Sequence, residues 1–478
     1  MIAASCGSVA DRGAVLEAVN PLAEGPIAGT PWLQSTSFDL AEVGYRQSEF
    51  FLSGTASGFV SDAPLGVDGR WAARPEGSAP YRTRVVVRRP IDRARFNGTV
   101  LVEWFNVSGG LDAAPDWTLM HTEFTREGYA WVGVSAQFVG IEGGVTAIPG
   151  VSGLHLKGYN PARYGSLSHP GDSFSYDIFS QAAQAVRQPR GVDLLDGLRP
   201  SRMLAIGESQ SAFRLVTYVN AVQPLLRLFD GFLIHSRGGT GASLSQAPQQ
   251  AITPPAGSRV RDDLSEPVLT FETETDLITL GFLAARQPDS DGFRLWEVAG
   301  TAHADTYLLQ VGPRDRGDSP DAANVIISAE PIPGIIRCGT PINSGPQHFV
   351  LDAAITALDR WVRGEGAPTP APRLELEGTP AAYVTDEHGN VRGGIRTSWV
   401  DAPVAMLSGL GQTGVGFCGI FGTTVPFDEA KLAALYPSHA DYVRAVEVST
   451  RAAEAAGFLR PADADLIEEA AARSTIGG

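Results

Sequence analysis

The sequence alternates short apolar runs with segments of helical spacing, and this alternation constrains the fold more than any other feature. The apolar runs are rich in β-branched and aromatic residues and are bounded by turn residues, as expected for strands buried on both faces. They occupy residues 99–105, 130–134, 202–206, 232–234, 268–271 and 293–298. Helical spacing is found at 116–127, 174–186, 211–220 and 348–363. The pattern predicts an α/β fold with a mostly parallel central sheet flanked by helices.

Composition and charge exclude several classes of protein. The chain has 478 residues, of which 43% are hydrophobic and 19% charged, as is typical of a globular protein. Its formal net charge is −16 and its Lys and Arg residues form no run, so we expect no nucleic-acid partner. No stretch approaches the roughly 18 apolar residues that a membrane span requires. The first residues, MIAASCGSVADRG, lack a complete signal peptide, so the localisation stays open with the cytoplasm favoured.

The three cysteines are Cys6, Cys338 and Cys418. Their separations fit no spacing of metal ligands, and we expect no metal. We take them as buried or surface thiols, and a bond between Cys338 and Cys418 could form only if the protein is exported, because disulfides persist in oxidising compartments. The sequence determines neither this pairing nor the oligomeric state.

One serine stands where a predicted strand meets a predicted helix. Residues 207–211 read Gly-Glu-Ser-Gln-Ser directly after the apolar run 202–206. The expected motif of a nucleophilic serine on such a turn is Gly-x-Ser-x-Gly, because small residues are needed where the helix leaves the strand. The same Gly-x-Ser-x-Ser pattern occurs at 171–175 and 241–245, but no apolar strand precedes it there. We therefore interpret Ser209 as the candidate nucleophile, with an ordinary polar turn as the alternative.

An acid and a histidine follow in the chain order that this chemistry requires. The run Glu272-Thr273-Glu274-Thr275-Asp276 comes directly after the strand at 268–271. We take Asp276 as the acid and Glu274 as the alternative. His303 lies in a small-residue loop just beyond the strand at 293–298, where a general base could reach the serine.

An acyl-transfer reaction also needs two N–H donors for the developing oxyanion. We expect one from Gln210, the residue after the candidate nucleophile. The other should come from the loop after the strand at 99–105, from Val107 or Asn106. No organic cofactor is expected, since no Gly-x-Gly-x-x-Gly or phosphate-loop pattern follows a strand.

Several segments together resemble a bacterial family of α/β-hydrolase-domain proteins that is largely uncharacterised. They are Asn97-Gly98-Thr99-Val100-Leu101-Val102-Glu103-Trp104-Phe105-Asn106-Val107-Ser108-Gly109-Gly110, Tyr164 to Asp172, Gly207 to Ala212, Asp230 to Arg237 and Gly393 to Arg396. The resemblance extends from about residue 45 to the C-terminus. It implies the α/β-hydrolase fold and a serine-hydrolase triad, whose members fall by position on Ser209, Asp276 and His303. It implies no substrate.

The same segments suggest substrate-binding residues. The segment 164–172 would bring His169 or Asp172 near the mouth of the site, with a simple turn as the alternative. His235 and Arg237 end a strand near the same rim, and either could bind substrate or serve a structural hydrogen bond.

The domain organisation follows from these elements and from the long stretches between them. We expect an N-terminal extension over 1–45 and an α/β-hydrolase catalytic domain over 46–366. That domain carries insertions at 138–173, 237–266 and 304–346, which are long enough to serve as lids. Residues 367–478 are expected to form an accessory or cap region, with helical spacing towards its end, packed on the catalytic domain.

The predicted function is hydrolysis of a carboxylic ester, or a related acyl bond, in a small molecule through a Ser-His-Asp triad and an acyl-enzyme intermediate. An amidase, a lactonase or an acyltransferase would use the same triad. The alternative from another class is a non-catalytic ligand-binding protein on a hydrolase scaffold.

Overall fold

A nine-stranded sheet organises the residues that the computed structural model describes, which are 16–147 and 152–478. Its strands are β1 (Leu22–Glu24), β2 (Tyr45–Val60), β3 (Arg74–Pro90), β4 (Thr99–Trp104), β5 (Ala130–Val134), β6 (Arg202–Glu208), β7 (Gly231–His235), β8 (Val268–Thr273) and β9 (Phe293–Val298). They lie side by side in the order β1-β2-β3-β5-β4-β6-β7-β8-β9. Neighbours from β5 to β9 run parallel, whereas β1, β2 and β3 pair antiparallel with their neighbours.

Helices connect the strands and cover both faces of the sheet. The α-helices are α1 (Pro115–Glu127), α2 (Phe138–Glu142), α3 (Leu156–Tyr159), α4 (Pro161–Tyr164), α5 (Ser175–Arg187), α6 (Gln210–Thr217), α7 (Gln223–Leu226), α8 (Glu274–Ile278), α9 (Gln347–Val362), α10 (Ser398–Asp401), α11 (Glu429–Leu435), α12 (His439–Ala455) and α13 (Pro461–Arg473). Two short hairpins lie after α9, and they consist of β10 (Leu376–Glu377) with β11 (Ala382–Tyr383) and of β12 (Ala405–Ser408) with β13 (Thr423–Pro426).

Each face of the sheet has its own apolar core, because successive side chains of a strand point to opposite faces. In β4, Val100 and Val102 join the core that α5 and α6 cover, while Leu101 joins the core beneath α1 and α9. All three are fully buried. This two-sided burial explains why the parallel strands read as continuous apolar runs in the sequence.

The strand register fixes where the functional residues come together. Glu208 at the end of β6 pairs with His235 at the end of β7, and Thr273 at the end of β8 pairs with Val298 in β9. The carboxyl ends of the parallel strands therefore meet at one edge of the sheet, and the loops that follow them share that edge.

The predicted fold class is confirmed, and the differences lie in the less regular parts. β2 and β3 run for 16 and 17 residues, much longer than their apolar segments, because they pair with each other along almost their whole length. Helix α6 continues as a π-helical turn, Tyr218–Val222, where a single helix to residue 220 was expected. β1 has no pattern of its own and forms by pairing with β2. Within the described residues, we find no helix that is both long and apolar enough to cross a membrane.

Part of the predicted domain organisation lies outside the described residues. Cys6 and the start of the 1–45 extension lie outside, as do four residues of the 138–173 insertion. The rest of that insertion folds into α2, α3 and α4. The C-terminal region contacts α1 through ion pairs that include Arg126–Asp463 at 2.9 Å and Arg460–Glu123 at 2.6 Å.

Candidate active site

Ser209 occupies a sharp turn between β6 and α6. Its backbone angles, φ 58° and ψ −120°, are costly for a residue with a side chain and are kept only where the surroundings enforce them. Helix α6 leaves β6 so closely that a Cβ on Gly207 would lie 3.1 Å from both Ser211 Cβ and Leu215 Cδ1. Position 207 therefore has little room for a side chain, and the small Ser211 fits fully buried.

Ser209, His303 and Asp276 form a chain of hydrogen bonds. Ser209 Oγ lies 2.8 Å from His303 Nε2, and His303 Nδ1 lies 2.6 Å from Asp276 Oδ1. The second oxygen of Asp276 accepts bonds from the backbone N–H and the hydroxyl of Thr273, each at 2.7 Å, which fixes the carboxylate. Because an ionised carboxylate only accepts, it holds the proton on Nδ1 and leaves the Nε2 lone pair facing the serine hydroxyl.

The other candidate acid, Glu274, has different hydrogen-bond partners. Its side chain accepts the backbone N–H groups of Gly300 and Gly409, each at 2.7 Å, whereas His303 Nδ1 pairs with Asp276. Burial raises the pKa of Glu274 to about 7. Its carboxyl group thus ties the loop before His303 to the C-terminal region.

The backbone N–H groups that were expected to bind the oxyanion differ in whether they already have a hydrogen-bond acceptor. Gln210 is the first residue of α6, so the helix itself cannot pair its backbone N–H. The N–H of Val107 points at the side-chain oxygen of the same Gln210, 3.4 Å away. The N–H of Asn106 is paired with the Ala113 carbonyl at 3.0 Å. Gln210 and Val107 can therefore offer donors beside Ser209, whereas the backbone of Asn106 is already engaged.

A second carboxyl group, Glu208, also reaches the histidine. Its Oε1 lies 3.2 Å from His303 Nε2, and its Oε2 accepts a bond from Asn106 Nδ2 at 3.1 Å. Burial raises the pKa of Glu208 to about 7. Glu208 could not be recognised from the sequence, because it stands at the unspecified position of the Gly-x-Ser motif. The one available signal was an acidic side chain at the end of an otherwise apolar strand.

The electrostatics of the site converge on His303. Burial favours its neutral form, but the carboxylates of Asp276 and Glu208 outweigh burial and raise the pKa of His303. The imidazolium form of this histidine is therefore stabilised by two acids on opposite ring nitrogens.

A cavity of about 160 Å³ opens onto Ser209 and His303. One side of the cavity is polar and includes Gln34, Ser35 and Asn106. The other side, which we name the apolar wall, is drawn from the 304–346 insertion and from the segment after β12. It consists of Leu308, Leu309, Ile332, Ile336, Phe417, Ile420 and Phe421.

A disulfide joins the two segments that form the apolar wall. Cys338 pairs with Cys418, with their Cα atoms 5.5 Å apart and 80 residues apart in sequence. Cys338 follows Ile336 closely, and Cys418 follows Phe417. The C-terminal region thus contributes directly to the cavity.

The structure does not bring the three expected substrate-binding residues to the cavity. His235 is fully buried between Asp116 Oδ1 and Gln347 Nε2, each at 2.8 Å, and burial lowers the pKa of His235 to about 4. Arg237 is buried and donates to the backbone carbonyl of Gly238 at 3.0 Å. His169 is buried with its Nε2 2.9 Å from the Ala136 carbonyl. All three have structural partners, so they support the site rather than line it.

The described residues contain no cluster of His, Cys, Asp or Glu side chains that could hold a metal ion.

Distantly similar solved structures include acetyl xylan esterase 1 from Thermoanaerobacterium sp., with 12% identity, 58% of this chain and 81% of that chain covered, and a TM-score of 0.31. They also include a Rhizomucor miehei esterase, with 12% identity, coverages of 66% and 85%, and a TM-score of 0.29. A third is the cell wall degrading esterase LipA from Xanthomonas oryzae, with 16% identity, coverages of 40% and 42%, and a TM-score of 0.22.

No curated protein matches the sequence. The sequence profile of the alpha/beta hydrolase domain matches residues 18–469, which is almost the whole chain. The parallel strands β5 to β9 and the turn after β6 agree with that match. The chain belongs to the alpha/beta hydrolase domain family.

Proposed function

We propose that this hydrolase-family protein is a serine esterase that cleaves carboxylic esters of small molecules through an acyl-enzyme intermediate. The observation that carries the proposal is the hydrogen-bonded chain from Ser209 Oγ through His303 to Asp276, at 2.8 and 2.6 Å. The strained turn at Ser209 supports it, since such strain is typical of a nucleophile elbow.

In the first step, Ser209 Oγ attacks the ester carbonyl carbon while His303 Nε2 accepts the hydroxyl proton. Asp276 holds the imidazole in the required tautomer and stabilises the imidazolium. The backbone N–H groups of Gln210 and Val107 then serve the oxyanion, which replaces the Gln210 side-chain oxygen as the acceptor of the Val107 N–H.

Collapse of the tetrahedral intermediate transfers the His303 proton to the leaving alkoxide and leaves an acyl group on Ser209. A water molecule then gives one proton to His303 Nε2 and attacks the acyl carbon. The proton returns to Ser209 Oγ as the acid is released, so the enzyme is restored.

The cavity favours an ester with an apolar acyl part of modest size. The apolar wall lies beside Ser209 and carries no charged side chain, and the whole cavity holds about 160 Å³. The charged groups that line the cavity are Glu208 and His303, which both lie at its reactive end. An ester with an uncharged acyl chain therefore fits better than one that bears a carboxylate.

The test is covalent labelling with a fluorophosphonate probe, followed by intact-mass analysis and peptide mapping. We expect one adduct per chain, on Ser209, and none on a folded Ser209→Ala variant. Hydrolysis of p-nitrophenyl acetate and butyrate should be lost in the same variant. A folded wild-type protein that neither labels nor hydrolyses would refute the esterase proposal and favour a ligand-binding protein on a hydrolase scaffold.

We further propose that the protein works in an oxidising compartment, contrary to the cytoplasmic location that the sequence favoured. The support is the Cys338–Cys418 disulfide, because such bonds persist mainly outside the cytosol. Alkylation of thiols in intact cells before lysis tests the proposal: both cysteines should resist the reagent until a reductant is added.

A further inference from the structure

The buried carboxyl group of Glu208 has no part in the mechanism described above, although it touches the general base. It lies at the end of β6, next to the nucleophile in sequence, and it lines the cavity. Only 4% of its surface is exposed. Burial of an ionised carboxyl group costs free energy unless the group is paired or hydrogen-bonded.

We propose that Glu208 is a second catalytic carboxylate, which stabilises the proton on His303 Nε2 in the transition states of acylation and deacylation. The inference rests on the proposed esterase function. It follows from the 3.2 Å separation of Glu208 Oε1 and His303 Nε2, the ring nitrogen that also contacts Ser209 Oγ.

The geometry makes this contact selective for the transition state. In the resting enzyme, Nε2 carries a lone pair, and a carboxylate oxygen cannot donate to it. Once His303 has taken a proton from Ser209 or from water, Nε2 becomes a donor and Glu208 Oε1 becomes its acceptor. An interaction that exists only after proton transfer lowers the barrier without strengthening substrate binding.

The position of the carboxylate is set before the reaction begins. Asn106 Nδ2 donates to Glu208 Oε2 at 3.1 Å, and Asn106 Oδ1 accepts the backbone N–H of Ser108 at 2.8 Å. The second oxygen of Glu208 is therefore anchored, while the first stays directed at the histidine. Such preorganisation lets Glu208 act without a cost of rearrangement.

Four titratable groups face Glu208 from the surrounding elements. His303 and His235 favour its ionised form, whereas Asp116 on α1 and Asp276 on α8 disfavour it. Below neutral pH, a protonated Glu208 can donate to Nε2 and occupy the lone pair that must accept the Ser209 proton. The fall of the labelling rate towards low pH, which we call the acid limb, should therefore reflect the titration of Glu208 and His303 as one coupled pair.

The test is the rate of fluorophosphonate labelling of Ser209 across about pH 5 to 8. Glu208→Gln is the main variant. Its side-chain oxygen must face Asn106 Nδ2, which places its amide N–H on His303 Nε2 and favours the neutral ring. We expect labelling on the plateau to slow by at least ~10-fold, within the usual size of one preorganised electrostatic contact. The acid limb should move to lower pH by about one unit.

Two further variants make the result decisive. Glu208→Asp keeps the charge but withdraws it from Nε2, so its rate should fall between those of the wild type and Glu208→Gln. Asp463→Asn removes another buried acid whose pKa is about 7 but which pairs with Arg126 on α1 rather than with His303. Its acid limb should coincide with that of the wild type.

The outcomes separate this inference from the esterase proposal. Suppose that the wild type is labelled at Ser209. An unchanged labelling rate or an unshifted acid limb in folded Glu208→Gln would then overturn the role of Glu208 alone. If Glu208→Gln does not fold, the test rests on Glu208→Asp. An unchanged labelling rate and an unchanged acid limb in that variant would also overturn the role of Glu208. Absence of labelling in the folded wild-type protein would overturn the esterase proposal itself, and the role of Glu208 with it.

Discussion

Removal of the Cys338–Cys418 disulfide should affect both the stability of the protein and the shape of its cavity. The bond spans 80 residues, and the chain-entropy relation gives a stabilisation of ~4.5 kcal/mol for a loop of that length. The unfolding entropy of a 478-residue chain is ~1 kcal/mol/K at the usual value per residue. The double variant Cys338→Ala/Cys418→Ala should therefore melt ~4–5 °C below the wild type.

The effect on catalysis should depend on the length of the acyl chain. Butyrate has two more methylene groups than acetate, and burying them against the apolar wall is worth up to ~1.6 kcal/mol, or about 15-fold in kcat/KM. Without the disulfide, Ile336 and Phe417 are no longer held to one another through their neighbours. The preference for p-nitrophenyl butyrate over p-nitrophenyl acetate should then fall, while the acetate rate changes less.

The assay combines scanning calorimetry with the butyrate-to-acetate ratio at 25 °C, in a Cys6→Ala background that leaves no other cysteine. Leu358→Ala is the matched control. Leu358 is buried on α9 and faces Gly231 at the amino end of β7, away from Ser209, and its truncation should cost ~2–5 kcal/mol. A melting shift below ~1 °C would refute the stability argument. An equal loss of butyrate preference in Leu358→Ala would refute the link between the disulfide and the apolar wall.

Three further variants test other parts of the structure. Asp276→Asn should lower kcat for p-nitrophenyl acetate by ~10⁴-fold with the fold intact, because the Nδ1 tautomer is lost; a loss no larger than that of Glu274→Gln would contradict the assignment of the acid. Ile336→Phe narrows the cavity and should lower the butyrate-to-acetate ratio below the wild-type value, and an unchanged or higher ratio would contradict the location of the acyl chain. Arg84→Met leaves the buried carboxylate of Asp112, 2.6 Å away, without its cation, while Glu49 keeps Arg163 as a partner. The free energy of unfolding should fall by ~3–5 kcal/mol in urea titration, and a loss under ~1 kcal/mol would speak against the ion-pair account.

The sequence predicted the sheet well because its central strands are buried on both faces. Residues 130–134 and 293–298 form strands with the predicted bounds, since an apolar run between turn residues admits few alternatives. β1 could not be predicted in the same way. Its three residues carry no periodicity, and its place is set by antiparallel pairing with Ser53, Leu52 and Phe51 in β2.

The candidate site was predictable where chain order limits the choices. Ser209, Asp276 and His303 were selected because each follows a strand whose carboxyl end reaches the same edge, and they lie within hydrogen-bond distance of one another. Their catalytic roles stay predictions. His235 follows the same rule yet lies beneath the site. A strand-end position therefore does not reveal whether a side chain points to the cavity or to the core.

The choice between neighbouring acids shows where sequence reasoning ends. Glu272, Glu274 and Asp276 alternate in the sequence, but helix α8 begins at Glu274 and changes the direction of successive side chains. Asp276 is the third residue of that helix and closes a capping box with Thr273. This cap forms only when the helix forms, and it orients the Asp276 carboxylate towards His303.

The placement of Glu274 gives the C-terminal region a role in the site as well as in the wall. Glu274 binds the N–H groups of Gly300 and Gly409, and its own carbonyl accepts the hydroxyl of Tyr383 at 2.6 Å. The loop that carries His303 is thus fastened to two points beyond residue 367. Because a displacement of ~1 Å at a general base can cost a large factor in rate, residues 383 and 409 belong to the support of the active site. A region that the sequence presents as an accessory layer therefore contacts the support of the loop that carries His303 and lines the cavity.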